Sequence, residues 1–175
     1  MGVSPEISHY FDIREFISEN TWNEYGVSSF LYVQQRIINV CKLLHQKLSD
    51  VYEVPQSDVS VRINTWHFED GSDVFQYQGY ISGKDNENKW HDGKLGEDEY
   101  DSFHRQGHAV NVRVKVKMND EIKVLNSYEI AAIVLEFEDD FILNGLTVIS
   151  EPRSDRDYLH MDCRNTRSFK LKIVT

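Results

Sequence analysis

Between Ala109 and Lys117 the chain alternates without a break, with Val110, Val112, Val114 and Val116 on one parity and Asn111, Arg113, Lys115 and Lys117 on the other. Successive side chains of a strand point to opposite faces, so this run predicts a strand with one covered and one polar face. Such a strand needs partners beside it and a layer over its valines. The run Val59-Ser60-Val61-Arg62-Ile63-Asn64-Thr65-Trp66 supplies one partner, placing Val59, Val61 and Ile63 inward. Helical spacing of Ile37, Val40, Cys41, Leu44 and Leu48 predicts a long helix over Phe30 to Leu48, with Ser28 or Ser29 as its N-cap and Lys47 near its end. A second helix is expected from Ser127 to Glu138, because Asn126 and Glu129 stand at capping-box spacing ahead of Ile130, Ile133, Val134 and Phe137. A short helix over Phe11 to Ile17 and three short strands, Gly145 to Ile149, Tyr158 to Cys163 and Phe169 to Ile173, complete the pattern. The expectation is one α+β domain over residues 1–175, a small antiparallel sheet flanked by helices.

Composition narrows the function classes. A hydrophobic fraction of 40% supplies a core, unlike the composition of disordered chains. A formal net charge of -10 opposes general binding to phosphate backbones, so nucleic acid is not an expected partner. Cys41 and Cys163 form no Cys-x-x-Cys pair and imply no disulfide framework. The start, Met1 to Glu6, lacks a basic segment followed by an apolar run, and no apolar run approaches the ~20 residues that cross a bilayer, so neither a signal peptide nor membrane insertion is expected. Residues 69–101 are rich in Gly, Asp, Asn, Glu and Lys and read as a long excursion or hairpin beside a cleft.

Two segments carry chemistry. Ser102-Phe103-His104-Arg105-Gln106-Gly107-His108-Ala109-Val110-Asn111 sets a loop histidine just ahead of a polar strand residue. In Tyr158-Leu159-His160-Met161-Asp162-Cys163-Arg164, His160 and Asp162 share one strand face. Neutral imidazole is the commonest zinc ligand, and a catalytic zinc takes three protein ligands and a water. His9, His45, His67 and His91 are assigned nothing, since most histidines are satisfied core or surface residues.

The first segment resembles the Ser-x-His-x-x-Gly-x-Ala-x-Asp signature, and the second the His-x-Asp-x-Arg strand, of the zinc D-Ala-D-Ala carboxypeptidases and L-alanyl-D-glutamate endopeptidases. The resemblance implies a hedgehog/DD-peptidase-like fold, zinc as cofactor, and His104 and His160 as ligands, with Gly107 and Ala109 permitting a close loop-to-strand approach. Asn111 stands where the family has its third ligand, an aspartate, and Phe68 stands where it has a carboxylate-holding arginine. Asp157, three residues before His160, is the general-base candidate, and Asp162 is a second candidate, an orienter of His160 or a substitute ligand. Arg164 would bind a substrate carboxylate or pair with Asp162. The implied activity is zinc-dependent peptidase chemistry on peptidoglycan stem peptides by a phage or prophage protein, located in the producing cell's cytoplasm or in a virion. The alternative is a catalytically degenerate virion component or binding protein, whose partners are other virion proteins.

Overall fold

The structure is a computed structural model, and it describes residues 6–8, 10–68, 79, 104, 106–164 and 170–174. The excursion over residues 69–101, apart from Gly79, lies outside the described residues, as does Ser102 of the first motif. The fold is mixed α and β, and its backbone groups into two compact units, Met1–Gln34 with Ile63–Val110, and Gln35–Arg62 with Asn111–Thr175.

In the first unit, strand β1 (Glu6–Ser8) pairs antiparallel with β2 (Phe11–Asp12), and a 3-10 turn follows over Ile13–Phe16. The helix expected over Phe11 to Ile17 is thus shorter and tighter. Asp12 accepts from the Arg14 amide while Glu15 reaches back to the Asp12 amide, so the turn begins after Asp12 and leaves Phe11 extended. Phe11, Phe16 and Ile17 are nevertheless buried, with the Phe11 and Phe16 rings edge to face at 5.6 Å. Helix α1 (Glu19–Tyr25) runs into a second 3-10 stretch over Gly26–Tyr32. Buried Asn64 and the Trp66 indole both donate to the Ile17 carbonyl, at 2.9 and 3.0 Å, so the end of the second expected strand is tied to this unit.

The second unit opens with α2 (Gln35–Tyr52), which starts later than Phe30. Neither Ser28 nor Ser29 caps it: the Ser29 hydroxyl points back, donating to the carbonyls of Thr21 and Gly26. Ile37, Val40, Cys41, Leu44 and Leu48 are fully buried, and α2 packs on β3 (Val59–Arg62). Strand β4 (Ala109–Met118) turns through Asn119 and Asp120 into β5 (Glu121–Leu125), and α3 (Ser127–Glu136) follows with the expected Asn126/Glu129 capping box formed in both directions. The backbone leaves helical geometry at Phe137, so the expected helix to Glu138 ends early and α4 (Glu138–Leu143) starts anew. Strands β6 (Val148–Ser150), β7 (Leu159–Asp162) and β8 (Lys172–Val174) complete a sheet in the order β3-β4-β7-β6-β8, with β5 paired to β4. The sheet is mixed rather than antiparallel. After β7 runs antiparallel to β6, the chain reverses once more and returns on the other edge of β6, which leaves β8 parallel to it. Among the described residues no helix is long and apolar enough to cross a membrane.

Candidate functional site

His104 belongs to the first unit, where its backbone carbonyl accepts from the Gly107 amide at 3.0 Å. Gly107 has φ +68, and a Cβ there would lie 1.8 Å from the Tyr32 carbonyl oxygen, so only glycine fits both the turn and the contact. Gln34 donates to the Gly107 carbonyl at 3.0 Å and closes the clamp. Half-buried His104 then places Nδ1 3.1 Å from the Gly79 carbonyl oxygen. A carbonyl only accepts, so Nδ1 donates in this contact. Gly79 itself is pressed on Phe16, whose carbonyl oxygen would be 2.3 Å from an added Cβ.

In the second unit β4 and β7 are neighbours, so their polar residues share one face of the sheet. His160 Nδ1 lies 2.9 Å from Asn111 Oδ1, and its Nε2 lies 3.4 Å from Asp162 Oδ2. An amide can turn either its oxygen or its NH2 toward the ring, whereas the carboxylate can only accept. Both ring nitrogens thus face a hydrogen-bonding partner, Nδ1 the Asn111 amide and Nε2, at longer range, the Asp162 carboxylate. A carboxylate behind one ring nitrogen is the arrangement that orients ligating imidazoles. The His160 amide donates to Ser150 Oγ at 3.3 Å, which steadies the strand beneath the ring.

Asp162 is fully buried. It accepts from the Arg164 backbone amide at 3.1 Å and from Arg164 Nε at 2.8 Å, and Arg164 Nη2 closes on Oδ2. Burial pushes its carboxyl up, but the hydrogen bonds from His160 and Arg164 outweigh that and hold it below its ordinary value. The Asp162 oxygens are turned to Arg164 and His160. Arg164, just beyond β7, pairs with the carboxylate two residues before it. Asp157 is exposed and pairs with Arg113 at 3.0 Å.

The structure thus brings together Asn111, His160, Asp162 and Arg164. The Gly79 carbonyl and the Ser150 hydroxyl are partners that spacing does not reveal: Gly79 stands 25 residues from His104 in the sequence Tyr77-Gln78-Gly79-Tyr80, and Ser150 looks like any strand-end serine. Among the described residues no group of three His, Cys, Asp or Glu side chains gathers as a metal cage. Taken separately, each imidazole is the kind of donor zinc takes, His104 in the first unit with Nδ1 on a carbonyl and His160 in the second with Nε2 near a carboxylate. Asn111 adds a neutral oxygen, a weaker donor that leaves the ion's charge less compensated. Comparisons of the chain with protein-family models, with curated proteins and with solved structures find no match.

Proposed function

We propose that this chain is a zinc-dependent peptidase-like protein of the hedgehog/DD-peptidase type, acting on peptidoglycan stem peptides and of phage or prophage origin. The observation that carries the reading is the 2.9 Å contact between Asn111 and His160, which stand 49 residues apart at the ligand positions of the two motifs. Motifs that match by chance need not lie on neighbouring strands, so the placement of these two on β4 and β7 supports the reading. The resemblance assigns zinc to His104 and His160, with Asn111 third. When bound, zinc polarises a peptide carbonyl and acidifies a water toward neutral pH. Asp162 keeps the His160 ring oriented. Asp157 accepts a proton once its carboxylate leaves the exposed contact with Arg113.

Asn111 and the Asp157–Arg113 pair favour a second reading, in which the scaffold persists as a virion or binding protein without hydrolysis. The test pairs zinc stoichiometry by elemental mass spectrometry with cleavage of isolated stem peptides. Zinc near one per chain, lost in His160→Ala, together with cleavage supports the peptidase. Zinc without cleavage, or no zinc in either protein, supports the second reading and rejects the first.

A further inference from the structure

The polar face of the sheet continues beyond the Asn111–His160 contact. Side chains two apart on a strand share a face, so Arg113, Lys115 and Lys117 follow Asn111 along β4 over about 20 Å. Antiparallel pairing sets Arg62 of β3 opposite Arg113, and Val124 and Ile122 of β5 opposite Lys115 and Lys117. Exposure rises along the strand, from half-buried Asn111 and Arg113 to exposed Lys115 and Lys117. Val124 and Ile122, 50% and 67% exposed, give the lane an apolar border. On a chain of net charge -10, four cations on one sheet face are a local reversal of sign. Arg113 pairs with Asp157 and Lys117 with Asp120. Those carboxylates are 50% and 94% exposed, and ion pairs this wet hold weakly, so carboxylates of a ligand replace them readily.

We propose that this face is a docking lane for an extended acidic peptide, its carboxylates over Arg113, Lys115 and Lys117, its aliphatic side chains against Val124 and Ile122, and its end at Asn111 and His160. The lane rests on the peptidase-like reading only for what happens at that end, where it names the substrate class as peptides carrying several carboxylates. Opposite charge attracts along the whole lane, whereas a basic peptide meets both the lane and Arg62 with repulsion.

The probe is fluorescein-labelled hexaglutamate, followed by fluorescence anisotropy at low ionic strength with EDTA present; hexalysine and a thymidine oligonucleotide serve as comparisons. The expected result is binding of hexaglutamate that weakens with salt and weakens by roughly tenfold or more in Lys115→Glu/Lys117→Glu. Both lysines are exposed, so the variant should keep the parent's melting temperature. If it does not, Lys115→Gln/Lys117→Gln should give a smaller loss in the same direction. Equal binding by parent and variant, no binding of hexaglutamate, or oligonucleotide binding as tight and as sensitive to the variants overturns the proposal, the last by showing an unselective polyanion patch. The assay needs neither metal nor cleavage, so failure of the lane leaves the zinc reading standing, and loss of zinc leaves the lane.

Discussion

At the scale of single residues, the chemistry of the second unit turns on whether Asn111 offers His160 an amide or a charge. Asn111→Asp replaces a neutral oxygen by a carboxylate 2.9 Å from Nδ1 and compensates a divalent ion. Zinc affinity should rise by about ten- to a hundredfold in a competition titration with a chromophoric chelator. An unchanged affinity would show that no ion sits against His160. The first motif makes a backbone prediction. Gly107→Ala adds a methyl group to a φ +68 residue already against the Tyr32 carbonyl, and should lower stability by about 2 kcal/mol or more in urea denaturation. A loss below about 0.5 kcal/mol would mean that the turn holding His104 is not clamped there. Period-two spacing was enough to place Asn111, His160 and Asp162 on polar faces, since parity needs no partner. It could not show that Asp162 would be enclosed by Arg164, or that Gly79 would hold His104, because both depend on which chain segments pack together.

At the scale of elements, what was legible follows from how local each signal is. The α3 capping box closes within four residues, so Asn126 and Glu129 were readable, and Asn126→Ala should cost about 1 kcal/mol of stability, measured by chemical denaturation. A change within experimental error would leave the cap without energetic weight. β5 escaped the pattern because Ile122 and Val124 face solvent, leaving only Leu125 buried. The signal was present in Asn119-Asp120, whose φ values of 49 and 67 make the two-residue turn that joins twisted strands. The parallel placement of β8 had no local signature at all. The joint between α2 and β3 carries a pH prediction through buried His45, whose Nε2 lies 3.1 Å from the Val59 carbonyl. Burial lowers this imidazole's pKa; the bond to Val59 opposes the shift and the charge of Arg62 adds to it. Above the unfolded value of about 6.5 both states are neutral and nothing is lost. As pH falls below it, the unfolded chain takes up a proton that the folded chain refuses, and stability declines until the folded value is reached. His45→Gln keeps an N–H for Val59 without the titration, so its urea midpoint should fall less than the parent's between about pH 7 and pH 5. Equal slopes would remove His45 from the acid response.

At the scale of the whole chain, packing decides what solvent reaches, and the two cysteines report on it from opposite layers of the second unit. Cys41 lies on the buried face of α2, and Cys163 just beyond β7, next to the Asp162 carboxylate. Burial, helped by that carboxylate and opposed by Arg36, pushes the Cys163 thiol up to about 12. The thiolate is the nucleophile, so a group held this high and this deep is inert at neutral pH. Neither thiol should react with Ellman's reagent in the native protein, and both should react at once in concentrated guanidinium. Reaction at intermediate denaturant should then follow the population of opened molecules rather than the reagent concentration alone. If Cys163 alone reacts in buffer, the end of β7 opens without the rest, and the His160–Asp162–Arg164 array opens with it. If Cys41 alone reacts, α2 leaves the sheet in a local motion, and the layer that covers the valines of β4 is the weak one. Silence from both until the global transition means that the strand bearing His160 and the helix beneath it are protected as one cooperative core.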